Sequence, residues 1–115
     1  MSTKATATAP TATPELTPVE EKRQKCLEEW RKEISGWDWF IISEKSTDWH
    51  YGFGHGCKLG TRNQMMNRDW RHFSPDARRR HEYCFEIALC EVAAQHGLKI
   101  GRKDDTYLAM RDEGE

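Results

Sequence analysis

Two closely spaced pairs of histidine and cysteine are the residues of this chain best suited to hold a metal ion. His55 and Cys57 lie two positions apart, and His81 and Cys84 lie three positions apart, which puts both on one face of a helix. Zinc takes four nitrogen or sulfur ligands, commonly supplied as two such pairs. However, His-x-Cys matches none of the familiar zinc motifs, and no Cys-x-x-Cys occurs. We therefore predict no metal and no cofactor, and we keep a zinc-binding module on these four residues as a third hypothesis.

Cys57 also stands close to a base, as a catalytic thiol would require. His55 lies two positions before it and would point the same way from an extended strand. No known protease signature surrounds this cysteine. The preceding glycines fit neither phosphate-binding template, since Cys57 stands where G-x-G-x-x-G needs its third glycine. We therefore predict a structural cysteine, no catalytic residues and a protein that is not an enzyme.

A basic segment follows, in which arginines are interleaved with aromatic residues. Seven basic and two acidic residues lie from Lys58 to His81, although the whole chain has a net charge of −1. Such a segment can hold phosphates and stack bases, so a nucleic-acid-binding protein that uses the stretch from Arg62 to Arg80 is our alternative hypothesis. An acidic protein surface, or pairing within the chain, would also account for these charges. The predicted basic patch consists of Arg62, Arg68, Arg71, Arg78, Arg79 and Arg80.

The longest predicted helix runs from Pro75 to His96 and carries two apolar stripes. The first stripe consists of Cys84, Phe85, Ala88, Leu89 and Val92. The second lies almost opposite and consists of Tyr83, Ile87, Cys90 and Ala94. A surface helix on a monomer needs only one apolar stripe. We therefore predict that Tyr83, Ile87 and Cys90 form a partner-binding face, for another copy of the chain or for a different protein, unless the rest of the domain covers them.

The elements that position these residues form a predicted α+β fold, mainly helical, with about three helices and a small antiparallel β-hairpin. The first helix begins at Thr17, which forms a capping box with Glu20, and Gly36 ends it. Its inner face is predicted to hold Val19, Cys26, Leu27, Trp30 and Ile34. A second capping box, Thr61 with Gln64, opens a short helix.

The predicted hairpin joins two extended segments. Residues 37–43 are aromatic and β-branched, and the segment that follows from residue 48 places its large side chains at odd-numbered positions. Near the end of the chain, residues 98–100 are predicted as a short strand and residues 106–111 as a last helical turn or two.

The 115 residues suffice for one domain, predicted over residues 17–112 after a flexible tail of residues 1–16 that is rich in Thr, Ala and Pro. No apolar run is long enough to cross a membrane. The N-terminus has no hydrophobic signal stretch, so the four cysteines are expected to stay reduced in the cytoplasm.

Our leading hypothesis for function is a small non-enzymatic interaction protein. It would act as an inhibitor or adaptor on a larger macromolecule, as accessory proteins of phages and mobile elements do. The absence of catalytic motifs, the two-faced helix and five tryptophans favour this hypothesis, because tryptophan is enriched at interfaces.

Deletion of residues 1–16 should leave the thermal midpoint nearly unchanged, because their composition offers almost no apolar surface to bury. Calorimetry of the full and shortened chains tests this expectation. A fall of many degrees would mean that the segment packs on the domain.

Overall fold

The computed structural model describes residues 17–46 and 56–112. Within them it contains four α-helices and a three-stranded antiparallel sheet, which confirms the predicted mainly helical α+β class. In chain order the elements are α1 (Pro18–Ser35), α2 (Trp39–Lys45), β1 (Cys57–Thr61), α3 (Arg62–Met66), α4 (Pro75–Gln95), β2 (Leu98–Lys103) and β3 (Thr106–Arg111). The predicted flexible tail, residues 1–16, lies outside the described residues.

The capping box at the start of α1 is present as predicted. The Thr17 hydroxyl accepts from the Glu20 backbone N–H at 3.1 Å, and the Glu20 carboxylate accepts from the Thr17 N–H at 3.0 Å. Of the predicted inner face, Cys26, Trp30 and Ile34 are buried and Leu27 is partly buried. Val19 was expected on the same face, but it is 62% exposed because it lies in the first turn, beyond the packed part of the helix.

The strand predicted over residues 37–43 is wrong, because α2 occupies most of that stretch. The carboxylate of Asp38 caps this helix by accepting from the Ile41 N–H at 3.3 Å. The Trp39 indole N–H donates to the Ile34 carbonyl at 2.7 Å, and the Trp39 ring stacks on His96 with centroids 5.2 Å apart. The local cap and indole hydrogen bond, together with the stacking on the distant His96, override the β propensity of the aromatic residues.

The observed hairpin is instead formed by β2 and β3 near the end of the chain. β3 is the central strand and pairs antiparallel with β1 on one side and β2 on the other. The helical turn predicted over residues 106–111 is therefore wrong, since two neighbouring strands supply the hydrogen bonds that hold this segment extended. β1 lies in the second segment of the predicted hairpin, whose residues 47–55 lie outside the described residues. The pairing of β1 with β3 shifts at Gly60, where a φ of +126° favours glycine.

α4 lies between α1 and the sheet and runs in the same direction as α1. Ser74 caps it, and Gly97, with a φ of +74°, follows its last turn. Side chains from the first turns of the two helices line one groove, and farther along Arg31 of α1 pairs with Glu91 of α4 at 2.7 Å. The N-terminal ends of α1 and α4 therefore lie side by side. None of the described helices is both long enough and apolar enough to cross a membrane.

The core is centred on aromatic contacts between α1 and α4. Phe85 of α4 is fully buried and packs edge-on against Trp30 with ring centroids 5.1 Å apart. Phe85 also contacts Trp37 and Tyr107, so its ring joins α1, the segment after it and β3.

Phe85→Ala should lower the free energy of unfolding by about 3–5 kcal/mol, because it leaves a cavity at this junction. Chemical denaturation monitored by circular dichroism measures the change. The matched control is Phe40→Ala, which removes the same atoms from a side chain that is 71% exposed and should change stability by less than about 0.5 kcal/mol. Equal losses in the two variants would contradict the position of Phe85 in the core.

Candidate functional site

The second apolar stripe of α4 lies on the surface of the described part of the chain. Tyr83 is 56% exposed, Ile87 is partly exposed and Cys90 is exposed, whereas Phe85 and Ala88 on the other face are fully buried. The structure therefore brings the three predicted contact residues together on one accessible face. We call Tyr83, Ile87 and Cys90 the α4 strip. Its role in binding a partner stays a prediction.

The α4 strip continues onto α1 at the end of the molecule where both helices begin. The Arg23 guanidinium lies 5.6 Å from the centre of the Tyr83 ring, which is within the range of a cation–π contact. Val19, one turn before Arg23, presents its side chain to the same groove as Tyr83. An apolar surface thus extends from α4 to the first turn of α1.

The thiol of Cys90 behaves as a neutral, weakly polar part of the strip. Partial desolvation by the surrounding side chains, followed by the nearby carboxylates of Glu86 and Glu91, raises the pKa of Cys90 above its ordinary value. None of the four cysteines, all of which are described, forms a disulfide. Cys57 is buried, and burial, partly opposed by the charge of Lys45, raises the pKa of Cys57. A raised thiol pKa opposes the thiolate that nucleophilic attack needs.

Much of the predicted basic patch is paired with carboxylates of the same chain. Arg62 lies 3.3 Å from Glu86 and donates to the Tyr107 hydroxyl at 3.4 Å, while that hydroxyl donates to Glu86 at 3.0 Å. Arg68 pairs with Glu33 at 2.7 Å. These two arginines therefore tie α3 and the segment after it to α4, β3 and α1.

Two more arginines of the predicted patch are also paired. Arg78 bonds Glu82 at 3.0 Å, and Arg71 bonds Asp69 at 2.8 Å. Arg80 differs, because it forms no salt bridge with any described residue. The structure thus distributes the paired arginines over several local networks, leaves Arg80 outside them and does not gather the six into one free basic surface.

A basic groove of about 780 Å³ opens where α1 and α4 begin. Lys22 and Arg23 of α1 and Arg79 and Arg80 of α4 line it. Among its described lining residues Asp76 is the one acid, and it pairs with Arg79. The two α4 arginines belong to the predicted basic patch, whereas Lys22 and Arg23 were not predicted from the sequence. The positions of Lys22 and Arg23 in the sequence do not indicate a groove, because the groove forms only where the first turns of α1 and α4, which are distant in the chain, lie side by side.

The three described residues of the hypothetical zinc site, Cys57, His81 and Cys84, do not form a metal-binding group. The His81 Nδ1 accepts the Trp30 indole N–H at 3.1 Å, so this nitrogen already has a partner. Cys84 is fully buried against α1, where its thiol donates to the Arg23 carbonyl at 3.5 Å. No group of three or more metal-ligating side chains is found within residues 17–46 and 56–112, and His55 lies outside those ranges.

His81 is held in its neutral form by its surroundings. Burial, followed by the positive charges of Arg80 and Arg68, lowers the pKa of His81 below its ordinary value. A neutral ring is also what the hydrogen bond requires, since a protonated Nδ1 could not accept from the Trp30 indole. The rings of Trp70 and Phe73 complete the surroundings of His81, with centroids 6.0 and 5.2 Å away.

Comparison of the chain with protein-family models, curated proteins and solved structures found no match. The functional argument therefore depends on the geometry described above.

Acidification should destabilise the protein partly through His81. The pKa of His81 is lower in the folded state than in the unfolded state, where it is about 6.5. The contribution of neutral His81 to folding stability is therefore complete above about pH 6.5 and is lost as the pH falls below that value. In His81→Gln, whose amide oxygen can still accept from Trp30, the free energy of unfolding should fall less between about pH 7 and pH 5.

Denaturant titrations across this pH range, with the exposed His72→Gln as the matched control, measure the difference. The control should follow the wild type. Identical slopes for the wild type and His81→Gln would contradict the neutral, hydrogen-bonded His81.

Proposed function

We propose that this protein is a non-enzymatic interaction protein, an inhibitor or adaptor that binds a larger macromolecule through the α4 strip. The observation that carries the proposal is that α4 buries one apolar face completely and leaves a second one accessible, on which Tyr83 and Cys90 are exposed and Ile87 is partly exposed. A helix needs only one apolar face to fold onto a domain. An additional exposed apolar face therefore supports a contact with another molecule.

The chemistry of the α4 strip suits a protein partner. Tyrosine is enriched among the residues that dominate binding energy, because its ring is large, loses little conformational entropy and carries a hydroxyl that can remain hydrated. The Arg23 guanidinium against the Tyr83 ring restricts how that ring can turn. Ile87 and the neutral thiol of Cys90 add apolar surface that a protein partner can cover without burying a charge.

Nucleic-acid binding through the stretch from Arg62 to Arg80 is the alternative with less support. A phosphate backbone attracts a continuous row of free cations. Arg62, Arg68 and Arg78 are bound to carboxylates of this chain, so phosphates would have to compete with those pairs.

The proposal also covers how and where the protein acts. The protein binds rather than catalyses, in keeping with the raised pKa of the buried Cys57. It works in the cytoplasm, in keeping with four cysteines that form no disulfide. Its small size suits an accessory protein of a phage or mobile element.

Affinity capture from the cells that make the protein tests the proposal through paired variants. The wild type should retain a specific protein, and Ile87→Asp should reduce its recovery by at least about tenfold, because it places a carboxylate in the apolar contact. Ile41→Asp is the matched control, since it makes the same change at an exposed position of α2. Tyr83→Asp, at a more exposed position than Ile87, is a second test variant.

The controls separate binding from folding. Circular dichroism should give all variants the helical content of the wild type, and unfolding of Ile87→Asp shifts the test to Tyr83→Asp. Full recovery of the captured protein by both α4 variants would exclude the α4 strip as the contact. The wild type could instead sediment as a dimer that Ile87→Asp converts to a monomer. That result would show that the α4 strip serves self-association and would contradict the inhibitor or adaptor function.

A further inference from the structure

We propose that the basic groove between the starts of α1 and α4 binds an acidic, partly apolar segment of a protein partner. The side chains that carry the argument are Val19, Lys22, Arg23, Arg79, Arg80 and Tyr83. The inference deepens the proposed function and rests on it, because Tyr83 belongs both to this groove and to the α4 strip. It names the chemistry of the partner, which the α4 strip alone leaves open.

The groove carries positive charge that no carboxylate of the described chain fully compensates. Arg79 is neutralised by Asp76, but Lys22, Arg23 and Arg80 form no salt bridge with any described residue. Several arginines elsewhere in the described part of the chain are paired with carboxylates, as Arg62, Arg68 and Arg78 show. Three like charges that converge on one concave surface repel each other, and carboxylates of a partner would relieve this repulsion.

The position of Arg80 strengthens this argument. Its side chain is partly buried in the second turn of α4, near the positive end of the helix, where a cation gains nothing from the helix dipole. Its charge also influences the interior, since it helps to lower the pKa of His81 and partly opposes the effect of burial on the thiol of Cys84. Arg80 is therefore held at a position that the helix dipole does not favour, and it forms no salt bridge with a described residue.

The same groove also exposes an apolar surface. Val19 is 62% exposed and Tyr83 is 56% exposed, and both lie beside the free cations. An aliphatic side chain such as Val19 adds nothing to the binding of a phosphate backbone. One face of the Tyr83 ring is already covered by Arg23, which leaves less of it for base stacking. A peptide with carboxylates and leucine-like side chains fits both halves of this surface, so we favour protein over nucleic acid.

The groove is also continuous with the α4 strip. Tyr83 lies one helical turn before Ile87, so an acidic segment seated in the groove would pass directly onto the apolar α4 strip. Charges at the edge of such an interface mainly raise the association rate and select the partner, while the apolar centre supplies affinity. The groove and the α4 strip would thus perform different parts of one recognition event.

Fluorescence anisotropy with the full chain tests the proposal directly. The probe is a labelled amphipathic peptide of glutamate and leucine, and its comparison is the same peptide with glutamine in place of glutamate. We expect the glutamate peptide to bind, and the glutamine peptide to bind at least about tenfold more weakly. Added salt should weaken the binding of the glutamate peptide.

Charge-reversal variants locate the site. Lys22→Glu changes an exposed side chain near the start of α1, and Arg80→Glu changes the partly buried one. Each should raise the dissociation constant of the glutamate peptide by about tenfold. Lys99→Glu is the matched control for Lys22→Glu, since it makes the same change at an exposed position of β2 and should bind as the wild type does. Lys22→Glu keeps the test decisive if Arg80→Glu fails to fold.

Several results would overturn the inference. These are no binding of the glutamate peptide by the wild type, equal binding of the glutamine peptide, and equal binding by Lys22→Glu and Lys99→Glu. Tighter binding of a labelled single-stranded DNA, lost in Lys22→Glu, would assign the groove to nucleic acid instead.

Failure of the groove can be distinguished from failure of the proposed function. If capture of the partner depends on Ile87 but not on Lys22, the groove is excluded as a binding site and the α4 strip is retained. If peptide binding depends on Lys22 while Ile87→Asp still recovers all captured proteins, the α4 strip is excluded as the contact and the groove is retained as a binding site.

Discussion

The burial of Trp30 between α1 and α4 is the constraint on which the rest of the structure depends. Its ring is 1% exposed and packs against Phe85, and Arg68 covers it with the guanidinium carbon 4.1 Å from the ring centre. A buried indole N–H needs an acceptor, and His81 supplies one at 3.1 Å. Because His81 and Phe85 are four residues apart on α4, one helix provides both contacts, which fixes how α1 lies along α4.

This alignment creates the candidate binding surface as a consequence. With α1 and α4 running in the same direction, Lys22 and Arg23 lie opposite Arg79 and Arg80, and four cations line one groove. The face of α4 that meets α1 and the sheet is fully buried, so Tyr83 and the rest of the α4 strip are left at the surface. The parallel alignment of α1 and α4 therefore both packs the core and gathers the charges that would attract a partner.

The features that could be predicted from the sequence are those determined by neighbouring residues. The capping boxes of Thr17 with Glu20 and of Thr61 with Gln64 are both present, since each needs only a four-residue segment. The periodicity that placed Tyr83 beside Ile87 is likewise local, because helix geometry alone determines which side chains share a face.

The features that could not be predicted depend on distant partners. Residues 37–43 have strong β propensity, yet they fold mostly as α2, where the Trp39 ring stacks on His96, a residue far along the chain. Residues 106–111 become the central strand because β1 and β2 flank them. The basic groove escaped prediction for the same reason, since the register of α1 along α4 is set by the Trp30 contacts.

The central claim is that the junction of α1 and α4 is where this protein meets its partner. The most direct measurement is a two-dimensional NMR titration of the isotope-labelled full chain with the glutamate–leucine peptide. The account predicts that the shifted backbone resonances come from residues 19–27 and 77–90, while those of β2 and β3 stay in place. Shifts centred on the sheet or on α2, or no shifts at peptide concentrations that saturate the anisotropy signal, would contradict it.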